Sequence, residues 1–546
     1  MAIAEAVDRA LKDALFLGDG AEVRLRRFAA DVGSLELVKR MAGIWSCDWG
    51  ALVRWLDQRS SVPRIRPTAV RRIGVLYRHL TVGGVQRVII MLAPILQALG
   101  HDVVFILEKE LDGSCYPLPE NVSVRYLPQT DERDAASIGA RVQALRDVIE
   151  GERIDLLYDH EYISNLLLWD VLTAKLVCRI PVVLHYHNCI GIGLSVDSAT
   201  PEFSVLAAKA RLCDSVIALS RTDALFLSVQ DVNAHYLLNP IDPALRRAIA
   251  EARPSRFAAK TVLWCGRLNS EKKPFDALSV FQAVHARDSA VRFVMVGGGS
   301  QATENALRRQ IVERGLQDCV EMAGVQADVY PYYERASLFL MTSGFEGFAL
   351  TLLEAGCFGL PTVMYDLPFL ETVRGNDGIV SVPQDDVQRA ASEICGLLSD
   401  EATYDRMARA NRDFMARLID YDHAKAIKNI LDDLQNRRPP CAAGTGTGDE
   451  AEIRLLLEEI QYFYSVRFRK FKETIATLRA MTGADSSVKS PQQMAQELSR
   501  AQMEVARLKR SESYRVGLAL TWPFRKLYRA GKWLLNPCQR MAKAEP

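Results

Sequence analysis

The sequence predicts an α/β fold of two doubly wound parallel-sheet domains facing each other, set between a helical N-terminal extension and a helical C-terminal tail. Three observations predict it. From about residue 70 to residue 436, short apolar runs alternate with helical stretches. The runs are β-branched or aliphatic at successive positions, so both faces of each strand are covered. They also fall into two series, with LNPIDP at 238–243 between them. Strand–helix alternation supplies the helices that cover such sheets. Composition agrees: 49% hydrophobic and 25% charged residues describe a folded chain, and 546 residues exceed what one core organises.

In chain order, residues 1–62 read as a helical extension. Leu11 and Leu15, then Leu35, Leu37, Val38 and Met41, sit at helical spacing, and Trp45, Trp49 and Trp55 read as a packing face. No chemistry is legible there, and SSVPRIRP (60–67) reads as a linker. The first domain, 70–238, has strand candidates IGVLY (73–77), DVVFIL (102–107), IDLLYD (154–159), PVVLHYH (181–187) and SVIALS (215–220). The second, 239–436, has TVLWCG (261–266), RFVMVG (292–297), LFLMTS (338–343) and PTVMY (361–365). Ligands of such sheets bind beyond the carboxyl ends of the strands, which directs attention to the residues after each run.

RRPPCAAGTGTGDE (437–450) reads as a flexible linker. Beyond it, Leu457, Tyr464, Phe471 and Leu478 recur every seven residues, and Met494, Leu498, Ala501, Val505 and Leu508 repeat the pattern. Two coiled-coil helices are expected over 451–512, as a hairpin or a homo-oligomer seam. In the tail, 513–546, Phe524, Leu527, Tyr528, Leu534 and Leu535 take one helical side while Arg525, Lys526, Arg529 and Lys532 take the other. Trp522 and Trp533 flank the segment. A basic amphipathic helix with aromatic edges suits an anionic membrane surface.

Charge narrows the partners. The whole chain carries a formal +1, which gives no general affinity for nucleic acid. Residues 505–543, however, hold ten Lys/Arg and one acid, Glu512, so the tail is +9 and the remainder −8. The eleven cysteines are scattered without metal-ligand spacing or a CxxC, and no metal site is expected. The opening MAIAEAVDRALKDALF has acids where a secretory leader needs basic residues, and no run reaches the roughly 18 apolar residues of a membrane span. A cytoplasmic location, peripheral on the inner face of the plasma membrane, is expected.

The candidate chemistry lies after strands. In SGFEGFALTLLEAGCFGLP (343–361), Glu346 and Glu354 are eight residues apart, which on a helix places them about 80° apart on one side, and Glu346, following a strand and a Gly-rich turn, sits at the mouth of that helix. Gly344 and Gly347 allow backbone to approach a ligand, and a helix N-terminus there would receive an anion. In WCGRLNSEKKP (264–274), Arg267 offers a fork of donors and Lys272 a point charge, a pair suited to a diphosphate. GGG (297–299) and TVGGVQR (81–87) are glycine turns after strands. Neither is a GxGxxG fingerprint, and there is no Walker Lys/Ser pair.

The order GGVQR, HYHN, CDSVIALS, NPID, GRLNSEKKP, VGGG, EGFALTLLEAGCFGLP, over roughly 70–436, resembles the family 4 glycosyltransferases, retaining enzymes of the GT-B fold. The resemblance implies two facing Rossmann-like domains, an acceptor-side one followed by a donor-side one. It implies that Arg267 and Lys272 grip the donor diphosphate, that Glu346 lies beside the donor sugar, and that Glu354 holds the nucleotide ribose. It places Gly84 in the turn facing donor and acceptor, assigns Gly266, Gly347 and Phe348 to donor binding, and puts His187 at the donor sugar. His185, two residues away on the same strand, competes with His187 for that role. Gln86, Pro240 and Ala349 depart from the family pattern, where Glu, Gly and Gly are common. None of these departures removes a phosphate-binding or E-x7-E residue.

The expected reaction is a sugar transfer from a UDP-, GDP- or ADP-linked donor to a glycan or lipid-linked acceptor, in cell-surface polysaccharide or glycolipid synthesis, with no cofactor and no required metal. A glycogen-synthase-like enzyme acting on soluble glucan and a catalytically idle GT-B assembly subunit are the alternatives.

Overall fold

The computed structural model describes residues 34–45, 53, 56, 62, 64–162, 164–190, 203–228, 230–251, 254–367 and 369–436. The expected linker (437–450), coiled coil (451–512) and basic tail (513–546), and most of the extension 1–62, lie outside the described residues. Within them the architecture is two parallel sheets with helices packed on them.

The first sheet has seven strands: β1 (Arg72–Leu76), β2 (Asp102–Leu107), β3 (Ser123–Tyr126), β4 (Leu156–Asp159), β5 (Val182–His185), β6 (Ser215–Ala218) and β7 (Ala234–Tyr236). Their spatial order is β3-β2-β1-β4-β5-β6-β7, and every pairing is parallel. The second has six: β8 (Thr261–Cys265), β9 (Arg292–Val296), β10 (Val320–Gly324), β11 (Leu338–Met341), β12 (Thr362–Tyr365) and β13 (Ile379–Val382), ordered β10-β9-β8-β11-β12-β13. In both sheets the strand order reverses beside the first strand of the domain, between β1 and β4 and between β8 and β11. Helices leave these neighbours toward opposite faces, which opens a crevice beyond their carboxyl ends.

The helices are α1 (Ser34–Trp45), α2 (Gly84–Ala98), α3 (Ala135–Glu152), α4 (Leu166–Leu172), α5 (Phe203–Leu212), α6 (Arg221–Ser228), α7 (Pro243–Ala250), α8 (Pro274–His285), α9 (Gln301–Glu313), α10 (Tyr330–Arg335), α11 (Leu350–Cys357), α12 (Val387–Leu397), α13 (Glu401–Ile419) and α14 (His423–Asn436). Several start where the sequence supplies a cap. The Asp134 side chain accepts from the Ala136 and Ser137 amides, and Asp400 accepts from Thr403, so otherwise orphaned N–H groups are satisfied. Helix α1 docks on α3, with Val38, Met41 and Ala42 buried and Lys39 Nζ donating to Gln143 Oε1 at 2.9 Å.

The nine expected strands are all present: β2 matches its expected bounds, β1 is shifted by one residue, and the other seven are shorter by one to three residues. Four further strands, β3, β7, β10 and β13, were not expected, and each is an edge of its sheet. An edge strand has one neighbour and little cover. Here it shows a burial pattern such as intermediate–intermediate–exposed–exposed for β3, so it lacks the continuous apolar run that announces an interior strand. A second difference concerns the expected domain boundary at residue 436. Helix α14 closes the second sequence domain, yet its Ile427, Ile430, Leu431 and Leu434 are buried in the core of the first sheet, against Ile73, Leu96 and Leu156. Chain order assigned α14 to the donor domain because amphipathic spacing reveals that a face is buried, not against what.

Candidate active site

Two loops in the second domain carry the expected cations and the first glutamate, and a buried hydrogen-bond chain fastens them together. The Trp264 indole donates to Thr342 Oγ1 at 3.1 Å, and that hydroxyl lies 2.8 Å from Lys272 O and 3.0 Å from Lys273 O. The Gly344 amide donates to Glu271 O at 2.8 Å. The loop after β8 is thereby tied to the loop after β11, at the reversal of strand order. Lys272 Nζ forms an ion pair with Glu346 Oε1, which also accepts from Ser343 Oγ at 2.7 Å. Glu346 is buried, and these two donors satisfy its carboxyl oxygen Oε1. Arg267 behaves differently. Its side chain is 72% exposed and, among the described residues, reaches only Glu271, at 3.4 Å.

Glu346 lies at the mouth of helix α11, as expected, but four residues ahead of its first residue and not on the same helical face as Glu354. Ala349 is left-handed, at φ 59°, and α11 begins only at Leu350. Glu346 therefore stands in the loop before the helix and Glu354 within it. The left-handed turn explains why glycine is common at position 349 in the family the sequence resembles, since a Cβ there is strained.

Gly347 and Gly297 are required by close backbone approach. A Cβ on Gly347 would fall 2.8 Å from Asn188 Cα and 2.9 Å from His187 O, so this loop meets the strand end of the first domain backbone to backbone. A Cβ on Gly297, at φ 130°, would fall 2.0 Å from Gly266 O, which fixes the GGG turn against the end of β8. Gly347→Ala is expected to lower stability by about 1–3 kcal/mol, because backbone and not a pliable side chain must move. Chemical denaturation measures it; an unchanged midpoint would show that the two segments do not pack this closely.

Glu354 is buried at the centre of a second cluster that the sequence did not reveal. Arg87, in the first turn of α2, donates through Nη1 to Glu354 Oε1 and through Nη2 to Asp242 Oδ2, both at 2.6 Å. It also contacts the Tyr330 hydroxyl, which bonds Asp242 Oδ2 at 2.8 Å, while Tyr333 donates to Glu354 Oε2 at 2.7 Å. Asp242 in turn caps α7. One guanidinium thus joins α2 of the first domain to α7, α10 and α11. Burial works against the Arg87 charge, but Glu354, Tyr330 and Asp242 raise its pKa above the ordinary guanidinium value. Burial pushes the Glu354 carboxyl up, and Arg87 and Tyr333 hold it down in part.

The remaining expected residues fall around the same crevice. Gly84 is the exposed first residue of α2, where a Cβ would lie 3.7 Å from the Leu350 side chain. Phe348 is buried, its carbonyl accepting from Thr372 at 3.3 Å. His185 is fully buried and bonds Tyr158, whereas His187 is half-buried, so of the two His187 retains access to a ligand. Across the first sheet's reversal, Arg78 after β1 pairs with Glu161 after β4 at 3.1 Å, and burial pushes the Glu161 carboxyl up to about 7 despite Arg78.

Two family descriptions match this chain: Glycosyltransferase Family 4 over residues 82–245 and Glycosyl transferases group 1 over residues 259–400, together more than half of it. The GDP-mannose:cellobiosyl-diphosphopolyprenol alpha-mannosyltransferase of Xanthomonas campestris is 30% identical over 201 residues, 36% of this chain and 51% of the relative. The chain spans about half the length of the curated relatives it matches first. Among solved structures, Anabaena Alr3699/HepE in complex with UDP and glucose superposes with a TM-score of 0.53 at 17% identity, over 67% of this chain and 100% of that one. The sucrose-phosphate synthase of Thermosynechococcus elongatus gives 0.54 at 18% identity, over 67% and 99%. At such identities the likeness is one of fold, two facing Rossmann-like domains.

Proposed function

We propose, from the premise that this chain belongs to the family 4 glycosyltransferases, that it transfers a sugar from a nucleotide-sugar donor to a glycan or lipid-linked acceptor. The observation that carries this reading is the placement of Lys272 beside buried Glu346 in two loops stitched together at the switch point of the second sheet. Breaking a sugar–phosphate bond develops negative charge on the diphosphate and positive charge on the anomeric carbon. Lys272, with exposed Arg267, answers the first charge, and the Glu346 carboxylate answers the second. Lys272, held beside Glu346, and exposed Arg267 supply the positive charge a divalent ion would, so turnover needs no added metal. Glu354, on α11 of the same domain and pinned by Arg87 of the first, takes the nucleotide ribose, and His187 faces the sugar.

Retention of configuration follows from family membership and is part of the same proposal. The Xanthomonas relative is named for a diphosphopolyprenol-linked acceptor, which supports a lipid-linked acceptor here and a role in cell-surface glycan assembly. A membrane-borne acceptor also gives the basic segment 513–546 a purpose, holding the enzyme to an anionic inner surface, with residues 451–512 as an oligomer seam.

The experiment is a thermal-shift screen of UDP-, GDP- and ADP-sugars, followed by donor turnover. A genuine donor at 100 times its Kd adds about 2.7 kcal/mol of stability. If no nucleotide sugar stabilises or turns over, the chain is an idle scaffold of this fold.

A further inference from the structure

Three histidines meet at the carboxyl ends of the neighbouring strands β4 and β5. His160 follows β4, His185 ends β5, and His187 lies two residues further, on the same side of the strand by alternation. Each ring offers a nitrogen, and the three nitrogens lie within 4.8 Å of one another. His160 and His185 are fully buried and His187 is half-buried. Burial keeps the rings neutral, pushing His185 down to about 3 and His160 and His187 well below the ordinary imidazole value, neighbouring rings adding to the effect on the latter two. Neutral imidazole is the form that ligates a metal.

Hydrogen bonds account for only some of the ring nitrogens. The Tyr158 hydroxyl lies 3.0 Å from His185 Nδ1, and His160 Nδ1 lies 2.7 Å from His187 Nε2. His160 Nε2 and His185 Nε2 are buried with no hydrogen-bond partner among the described residues. A buried orphan nitrogen carries a free-energy cost, and two in one cluster call for a ligand.

We propose that His160, His185 and His187 form a site for a divalent transition-metal ion of the zinc type, and that filling it withdraws His187 from the donor sugar and inhibits transfer. Three imidazoles with an open fourth position are a zinc donor set. Tyr158 serves as the outer partner, orienting His185 so that Nε2 is presented. The site forms on binding. His185 and His187 stack with centroids 4.1 Å apart and planes 18° from parallel, so their lone pairs run side by side and do not converge. One ring must turn, and half-buried His187 has the room; turning it gives up the bond to His160. The metal-binding part stands on the cluster alone, whereas inhibition rests on the proposed function.

The test uses the full-length protein stripped of metal. Zn²⁺ is added, bound ion per chain is measured by equilibrium dialysis, and initial rates of donor turnover are followed in parallel. One Zn²⁺ per chain is expected, with inhibition reversed by chelator. His160→Gln should weaken binding at least tenfold, while His285→Gln, outside the cluster, should not. If His160→Gln does not fold, Co²⁺ added to the unsubstituted chain gives a second readout, since three imidazoles and water produce a tetrahedral visible band. Absence of bound ion, absence of that band, or binding indifferent to His160 overturns the site. Binding without inhibition overturns the inhibitory role alone. A chain that turns over no donor but still binds Zn²⁺ through His160 retains the site while refuting the enzymatic reading.

Discussion

Replacing Lys272 by alanine is expected to lower kcat by about 10²–10³ at saturating donor, the usual cost of removing one donor aimed at developing charge. Arg267→Ala is expected to lose a similar factor with no loss of stability, because the side chain is 72% exposed and its ion pair to Glu271 spans 3.4 Å. The two substitutions part company in the fold. Lys272 is the cation beside buried Glu346, so its loss leaves a carboxylate with only the Ser343 hydroxyl. Up to ~3 kcal/mol of stability should go with it, less than for a sealed pair because the loop opens to the crevice. Lys272→Ala/Glu346→Gln should regain stability without regaining turnover. Measured kcat within a few-fold of the parent in both single variants would remove the diphosphate assignment. If EDTA abolished turnover and Mg²⁺ restored it, the cations would not be sufficient.

The sequence made the interiors of both sheets legible, and little beyond them. Strands such as Phe105 in β2 and Leu340 in β11 are covered on two faces, and that leaves an unbroken apolar run. The edge strands are held by a single neighbour and by half-covered residues such as Val124 and Val380, a pattern no window of sequence separates from a loop. The site divides in the same way. Lys272, Glu346 and Gly347 stand in contiguous motifs, and their chemistry could be read in place. What spacing misjudged was the conformation at Ala349, because a left-handed residue inside a helix-like string is invisible to periodicity.

Arg87 carries a signal that could have found it. A cation in the first turn of a helix opposes the positive end of the helix dipole, so its presence there implies acids waiting elsewhere in the fold. Those acids, Asp242 and Glu354, are 155 and 267 residues away, and no local pattern connects them. His160 was equally silent, since it joins His185 and His187 only once β4 and β5 pair.

Removing Arg87 should have the largest effect on stability in the molecule's crevice. Arg87→Met deletes the charged partner of Glu354, whose side chain is 5% exposed, and leaves it the Tyr333 hydroxyl alone. Breaking a buried pair from one side costs about 3–5 kcal/mol, most of it the uncompensated charge and not the worth of the pair. Glu354→Gln in the same chain should therefore recover part of the loss, with a coupling energy of about 1–3 kcal/mol in the double-mutant cycle. Denaturant midpoints of the four proteins measure it, and additive effects would show that Arg87 and Glu354 do not act as a pair. The functional consequence is separable. A ribose contact is made in both ground and transition states, so Glu354→Gln alone should raise the donor KM and leave kcat near the parent. If instead only the midpoint moved, with KM unchanged, Glu354 would belong to the cross-domain clasp with Arg87, Asp242 and Tyr330, and the nucleotide would have to be held by other groups.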